Sequence, residues 1–192
     1  ALPFVNFGNL FGGSQTDDFT FGAAGQLKCN IDGGAGINTI TGNNAGHTYS
    51  ITGVNSGAID VLFVGSIAPA GLLPLPKSIV TPPAPPTRFT NVQNLVAGSG
   101  DDIFFFTIPG SLTGTVTGGT GNNSLYGDNL GRTYTVTGGG TGTVTGILPA
   151  GYTGVQNLIG GTANDIFNVN SIGAVNTTIA GVQGNDVFTV NA

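Results

Sequence analysis

The sequence predicts an all-β chain, a parallel β-solenoid of roughly nine coils of about 21 residues that spans residues 1–192 as a single domain. Three observations lead to this fold class. The chain contains a long internal repeat, the long repeat contains a shorter one, and the residues between glycine-rich corners alternate apolar with polar. In such a stack each coil buries its apolar face only against its neighbours.

The long repeat relates residues 4–57 to residues 89–142 at a shift of 85 positions, without a gap and with 23 identities. A third, partial copy follows at a shift of 63 positions, where Asp165 matches Asp102. Self-similarity at a fixed spacing is the signature of a stacked repeat rather than of two separate domains.

The shorter repeat has a step of 21 residues. Residues 157–169 recur as residues 178–190, and the same step takes Leu10 to Ile31. A unit this short cannot hold two packed helices but fits one coil of a β-solenoid. We therefore interpret the shift of 85 as about four coils and the shift of 63 as about three.

Strands are predicted by local alternation. Residues 19–21, 167–169 and 188–190 alternate apolar with polar side chains, which is the period of a half-buried strand. The 35 glycines, with many Asn and Asp residues, separate these runs as tight corners require. No window carries a sustained helical period with caps.

Composition excludes several classes of function. Charged residues make up only 7% of the chain, against about 25% in typical domains. A net charge of −5 with four cations argues against nucleic acid or an anionic membrane as a partner. No apolar run reaches 18 residues, so no membrane insertion is predicted.

One insertion interrupts the repeat at residues 65–88. Proline cannot donate to a strand ladder, so this segment is predicted to lie outside the central strands, either as an inert surface loop or as a lateral arm that packs on a neighbouring subunit. The candidate lateral contacts are Pro74, Pro76, Lys77, Pro82, Pro83, Pro85, Pro86 and Arg88.

All nine acidic residues are Asp, and most of them stand at one corner of the coil just before a Phe strand. The corner residues are Asp17, Asp18, Asp101, Asp102, Asp165 and Asp186. They are interpreted as turn-closing side chains that bond backbone N–H groups, with Asn38 and Asn123 alternating to limit repulsion. Two alternatives stay open. The carboxylates could bind calcium together with backbone carbonyls, or paired Asp residues could act as general acid and base on a polysaccharide.

Other catalytic constellations are nearly absent, and no enzyme activity is predicted. The chain has one cysteine, Cys29, and one histidine, His47, and it has no Glu. These residues cannot build a zinc site or a Cys-His nucleophile. His47 aligns with Arg132 and is predicted to be a solvated surface residue. No cofactor is predicted, calcium remaining the open possibility.

Three segments carry a family resemblance. Residues 4–21 read F-V-N-F-G-N-L-F-G-G-S-Q-T-D-D-F-T-F, residues 25–40 read G-Q-L-K-C-N-I-D-G-G-A-G-I-N-T-I, and residues 110–125 read G-S-L-T-G-T-V-T-G-G-T-G-N-N-S-L. This pattern resembles the repeats of large bacterial filamentous-haemagglutinin-like or adhesin-like surface proteins, and more distantly the RTX nonapeptide proteins. The resemblance implies an extracellular or cell-surface structural protein, serving adhesion or a biofilm matrix.

The ends of the chain suggest self-assembly. Neither end carries a capping helix or a charged cluster, and an open strand end offers unpaired backbone groups. We expect a head-to-tail homopolymer whose contacts include Ala1, Leu2, Phe4, Val187, Phe188 and Val190. The alternatives are a carbohydrate-binding or carbohydrate-cleaving β-helix module acting on host or surface glycans, and a calcium-stabilised RTX-like segment.

Overall fold

The computed structural model describes residues 8–22, 30–60, 86–170 and 178–191, and these residues form strands and no helix. The strands are β1 (Asn9–Phe11), β2 (Asp18–Thr20), β3 (Asn30–Asp32), β4 (Thr39–Thr41), β5 (Thr48–Gly53), β6 (Ser56–Ile59), β7 (Thr87–Thr90), β8 (Asn94–Val96), β9 (Ile103–Phe106), β10 (Val116–Thr117), β11 (Ser124–Tyr126), β12 (Thr133–Gly138), β13 (Thr141–Val144), β14 (Leu148–Thr153), β15 (Asn157–Ile159), β16 (Ile166–Val169), β17 (Thr178–Ala180) and β18 (Val187–Val190). The prediction of an all-β chain is confirmed for this part.

The described strands form two sheets of nine strands each. Sheet A has the order β1-β3-β7-β6-β5-β9-β11-β15-β17, and sheet B has the order β2-β4-β8-β10-β14-β13-β12-β16-β18. The chain passes from one sheet to the other at the glycine-rich corners, so that β1 and β2 lie at one end of the pair of sheets and β17 and β18 lie at the other.

The 21-residue step is a parallel pairing of neighbouring strands. Leu10 lies opposite Ile31 in sheet A, and Phe167 lies opposite Phe188 in sheet B. In each case the difference in residue number is 21, because 31 − 10 and 188 − 167 give the same value. The short repeat therefore predicts the register of these pairs correctly.

Two runs of strands are antiparallel, and here the prediction of uniformly parallel strands is wrong. The strands β5, β6 and β7 form a three-stranded meander in sheet A, and β12, β13 and β14 form another in sheet B. The first hairpin of each meander turns at a residue with positive φ, Asn55 at 50° and Gly140 at 71°. Asn and Gly tolerate this left-handed conformation, so the chain reverses there instead of crossing to the other sheet.

The 85-residue repeat exchanges the two sheets. Leu10 lies in sheet A, whereas its counterpart Leu95 lies in sheet B; Phe19 lies in sheet B, whereas its counterpart Phe104 lies in sheet A. The first copy contributes its meander to sheet A and the second copy contributes its meander to sheet B. The long repeat is thus two coil-like pairs of strands followed by a meander, rather than four equivalent coils.

The core is one cluster of apolar side chains drawn from both sheets. Ile31, Phe104 and Leu125 come from sheet A, while Leu95 and Tyr134 come from sheet B, and all are at most 1% exposed. Alternate residues of each strand point into this cluster, as the period of two requires. The two sheets therefore face one another across a shared apolar interior.

Candidate functional site

The candidate site consists of the open strand edges at the two ends of the sheets. We call β17 and β18 the trailing edge, and β1 and β2 the leading edge. In the described part of the chain each of these four strands pairs with one neighbour only, namely β15, β16, β3 and β4 respectively. An edge of this kind offers unpaired backbone N–H and C=O groups to another strand.

The trailing edge presents apolar side chains to solvent. Val187, Phe188 and Val190 are 52%, 54% and 66% exposed. Phe188 stacks on Phe167 with ring centroids 4.9 Å apart, and Phe167 stacks in turn on Tyr134 at 4.5 Å. Phe188 is therefore the last ring of an aromatic column whose outer face is uncovered in the described residues.

The leading edge is also apolar. Leu10, Phe19 and Phe21 pack against the core while staying partly exposed, and Phe11 is 76% exposed on the outer face. Ala1, Leu2 and Phe4, which were predicted as contacts, lie outside the described residues. Both end pairs of strands therefore expose apolar side chains.

Two Asp corners close with the same hydrogen bond, and a third Asp is bonded differently. Oδ2 of Asp17 accepts the N–H of Gly13 at 2.7 Å, and Oδ2 of Asp165 accepts the N–H of Gly161 at 2.9 Å. Asp102 stands at the matching corner and is fully buried, and its Oδ1 accepts the N–H of His47 at 2.8 Å. The bonds of Asp17 and Asp165 agree with the interpretation of these residues as turn-closing side chains, whereas Asp102 bonds a residue 55 positions away in the chain.

The Asn corners have the opposite polarity. Nδ2 of Asn38 donates to the carbonyl of Asn91 at 2.9 Å, and Nδ2 of Asn123 donates to the carbonyl of Gly154 at 2.8 Å. A carboxylate cannot make these bonds because it has no proton to donate. The alternation of Asn with Asp along the repeat therefore follows the polarity of the backbone groups at each corner.

Two glutamines that sequence reasoning did not single out link the corners to the next copy of the repeat. Oε1 of Gln93 accepts the N–H of Asn38 at 2.7 Å, and Oε1 of Gln156 accepts the N–H of Asn123 at 2.8 Å. The available signal was the shared segment Val-Gln-Asn-Leu at residues 92–95 and 155–158. The two bonds join residues that are 55 and 33 positions apart in the chain.

Burial shifts the ionisation of two corner carboxyls. Desolvation raises the pKa of Asp102 and of Asp165, while the N–H groups that they accept oppose the rise. The pKa of Asp32 is lowered, chiefly by a hydrogen bond from the side chain of Asn91. Backbone N–H groups therefore hold the carboxyls of Asp102 and Asp165.

The corner carboxylates do not form a metal cluster in the described residues. Nowhere in residues 8–22, 30–60, 86–170 and 178–191 do three His, Cys, Asp or Glu side chains converge as metal ligands would. Asp18 and Asp101 are exposed, and Oδ1 of Asp101 accepts the N–H of Asn122 at 2.8 Å. Asp165 and Asp186 are joined through the N–H of Asp165, which donates to Oδ1 of Asp186 at 2.9 Å.

His47 is not the solvated residue that the sequence predicted. Its side chain is 14% exposed and lies 2.9 Å from Oδ1 of Asp60, while its Nε2 lies 2.7 Å from Oδ1 of Asn43. The hydrogen bond with Asp60 is the main reason why the pKa of His47 is raised. The matching Arg132 pairs with Asp128, which aligns with Asn43 rather than with Asp60. The position therefore places a basic side chain beside a carboxylate in both copies, although the two carboxylates come from different places in the repeat.

Of the predicted lateral contacts, only the last two fall in the described residues. Arg88 lies in β7 with its side chain exposed, opposite Asn30 and Ala58, and Pro86 is half-buried just before that strand. Pro74, Pro76, Lys77, Pro82, Pro83 and Pro85 lie outside the described residues.

A groove of about 420 Å³ lies on the outer face of sheet A. Phe105 and Tyr126 line it with ring centroids 5.9 Å apart, and Asn129 and Gln183 add polar groups to its rim. Phe105 lies between the buried Phe104 and Phe106, so the alternation of the strand turns its ring to the outer face. Tyr126 joins it because the 21-residue step places the two side by side on β9 and β11.

Comparisons with known proteins do not assign the chain to a family. No family model, no curated protein and no solved structure matches the sequence or the fold. In the part of the chain that the structure describes, no helix has the length and apolarity needed to cross a membrane.

Proposed function

We propose that this chain is a structural subunit or segment of an extracellular β-solenoid fibre, which serves adhesion, a cell surface or a biofilm matrix and which grows by head-to-tail stacking. In this proposal the two sheets are the walls of the solenoid. The observation that carries it is the pair of open apolar edges, each a coil-like pair of strands, at opposite ends of one continuous core.

Stacking is favoured because both edges gain from it. Pairing β-edges satisfies backbone groups, and burial of apolar surface contributes about 25 cal/mol for each Å² removed from water. The contact joins two different surfaces of the same subunit, so it does not close on itself and generates a filament. The few charged residues, 7% of the chain, leave the stack with little charge repulsion along its length.

The proposal is tested by imaging the purified chain and by measuring its sedimentation across a range of concentrations. We expect unbranched fibres and an assembly that rises steeply with concentration. Val190→Lys and Phe188→Lys place a charge on the trailing edge and are expected to abolish fibres. Thr120→Lys, at an exposed corner between the interior strands β10 and β11, is the control and should assemble normally. Monodisperse monomers at high concentration would contradict the proposal.

A second candidate function is glycan binding at the outer groove. The side-by-side Phe105 and Tyr126 rings favour it, since sugar rings stack on aromatic faces while rim amides hydrogen-bond hydroxyl groups. A glycan array probed with the intact chain tests this function. Binding that is lost in Phe105→Ala and in Tyr126→Ala but kept in Phe11→Ala would support it, whereas no binding to any glycan would reject it.

A further inference from the structure

We infer that the fibre joint is flush, with the trailing edge of one copy of this chain pairing with the leading edge of a second copy in both sheets at once. β17 pairs with β1 of the second copy and β18 pairs with β2 of the second copy. The inference rests on the proposed head-to-tail assembly, and it adds the partner strands and their register.

The register follows from the coil-like pairs already present at each end. Ile179 lies opposite Leu158 and Phe188 lies opposite Phe167. One further parallel step, about 4.8 Å, sets Ile179 against Leu10 of the second copy and Phe188 against Phe19 of the second copy. The aromatic column then continues across the joint instead of ending at an exposed ring.

The leading edge carries an unused acceptor at the position where the interior strands use one. Oδ1 of Asp102, just before β9, accepts the N–H of His47, just before β5; Oδ1 of Asp165, just before β16, accepts the N–H of Arg132, just before β12. Asp17 stands just before β2 in the same way. Its Oδ1 has no hydrogen-bond partner in the described residues, whereas its Oδ2 is held by Gly13.

The trailing edge carries the complementary donor. Asp186 stands just before β18, and its N–H has no acceptor among the described residues. The matching N–H groups of Asn38 and Asn123 donate to Gln93 and Gln156. In the flush joint the N–H of Asp186 donates to Oδ1 of Asp17 of the second copy, which reproduces the bonds that Asp102 and Asp165 accept within the chain.

The other arrangement, copied from the junctions between repeats inside the chain, does not fit the ends. Inside the chain β4 pairs with β8 and β11 pairs with β15, which would set β18 against β1 of the second copy. At the position of Gln93 and Gln156 the first copy has Gly8, which has no side chain to accept the N–H of Asp186. That arrangement also leaves a gap of three strands in sheet A, where the interior carries a meander between β3 and β9.

Disulfide trapping distinguishes the two arrangements with one shared position. In a Cys29→Ser background, Thr189→Cys is combined either with Thr20→Cys or with Phe11→Cys; all three new sites are exposed on outer faces. The flush joint sets residue 189 against residue 20, within the Cα range of a disulfide, and leaves residue 11 on the other sheet. We expect oxidation to give a ladder of covalent oligomers in the first variant, about tenfold more than in the second.

The outcomes separate this inference from the function on which it rests. A ladder in the second variant alone, or fibres without a ladder in either variant, overturns the flush joint and leaves the fibre proposal standing. An absence of fibres in the parent chain overturns the fibre proposal itself. As a second measurement, Asp17→Ala is expected to raise the concentration needed for assembly about tenfold, because the bond across the joint is lost. The loss of the bond from Gly13 within the chain is measured separately, as the change in the denaturation midpoint of the monomer. Asp18→Ala is the matched control and should leave that concentration unchanged.

Discussion

The Asn corners and the Asp corners occupy the same place in the repeat, yet their backbones are turned in opposite senses. The Asn corners have left-handed glycines, Gly34 at φ 74° and Gly119 at φ 77°, and they present carbonyls to the Asn side chain. At the Asp corners the matching glycines, Gly13 and Gly161, do not have a positive φ. Each of them donates its N–H to the carboxylate. We infer that the φ of this glycine decides whether the corner accommodates the amide of Asn or the carboxylate of Asp.

A third kind of corner breaks this rule. Residues 181–186 follow the Asn-corner backbone, with Val182 at φ 82° and Gly184 at φ 105°, but they end in Asp186. A β-branched residue in the left-handed region is strained. This corner lies next to the trailing edge, which places the departure from the repeat where the proposed joint forms.

The largest expected effect comes from exchanging the side chain at a buried Asn corner. Asn123→Asp places a carboxylate against the carbonyls of Gly154 and Thr120, with no water to solvate it. We expect the free energy of unfolding to fall by about 3 kcal/mol at pH 7, measured by denaturant titration. Part of the loss should return in acid, since a protonated carboxyl donates again.

The neighbouring Asn122→Asp is the matched control for that exchange. Asn122 is exposed and its Oδ1 accepts a hydrogen bond from Nδ2 of Asn157, a role that a carboxylate fulfils equally well. We expect a change within about 0.5 kcal/mol. Equal destabilisation by the two substitutions would contradict the polarity that we assign to the Asn corner.

The next effect concerns the glycine that sets the corner. Gly34→Ala forces alanine to φ 74° and brings its Cβ onto the carbonyl oxygen of Gly13. We expect a loss of about 2 kcal/mol in thermal or chemical unfolding. Gly13→Ala, one 21-residue step earlier, has only Asp17 Oδ2 near its Cβ, at 4.0 Å, and is expected to be neutral or slightly stabilising. If both variants lose the same stability, the two corners do not differ in backbone conformation.

A smaller effect of opposite sign is expected at the irregular corner. Val182→Gly restores the residue found at Gly34 and Gly119 and relieves the strain at φ 82°. The gain, about 1 kcal/mol, is reduced by the greater freedom of glycine in the unfolded chain. The measurement is the midpoint of denaturation, and Val187→Gly in the adjacent strand is the control, expected to destabilise. A loss of stability in Val182→Gly would show that Val182 packs usefully despite its conformation.

The sequence was sufficient to predict the strands and their local register. The 21-residue step from Leu10 to Ile31 and from Phe167 to Phe188 is found as direct parallel pairing. This succeeds because a one-residue slip turns every apolar side chain outward, so the spacing of buried residues fixes the register.

The exchange of sheets between repeats was beyond sequence reasoning. Leu10 and Leu95 carry the same local pattern, and both sheets bury their strands against the same core, so nothing in either segment tells which sheet it joins. The choice is made by the reversals at Asn55 and Gly140. The first loop, Val54-Asn55, carries no strong turn signal, whereas the second, Gly139-Gly140, carries one that the 21-residue interpretation did not use. The Asp17 acceptor and the Asp186 donor became visible only once the strands were paired.

The smallest expected effect is a stabilisation in mild acid. Folding raises the pKa of His47, mainly through Asp60, and raises the pKa values of Asp102 and Asp165 through burial. A group with a raised folded-state pKa binds its proton more tightly in the folded chain, so stability grows as the pH falls toward the ordinary values of 6.5 for His and 3.8 for Asp. The pKa of Asp32 is lowered by folding, so its contribution to stability decreases as the pH falls. That decrease is confined to the range near and below 3.8, outside the interval from pH 8 to pH 5.

We therefore expect the midpoint of thermal unfolding to rise by about 2–4 °C between pH 8 and pH 5, which corresponds to about 1 kcal/mol in a chain of this size. Asp60→Asn removes the main cause of the raised His47 pKa and should flatten the curve between pH 8 and pH 6, leaving only the rise near pH 5. A lower midpoint at pH 5 than at pH 8 would mean that the corner carboxylates favour folding when charged. The Asp corners would then resemble ion-pair sites, and the contrast with the Asn corners would lie in charge rather than in the polarity of the backbone.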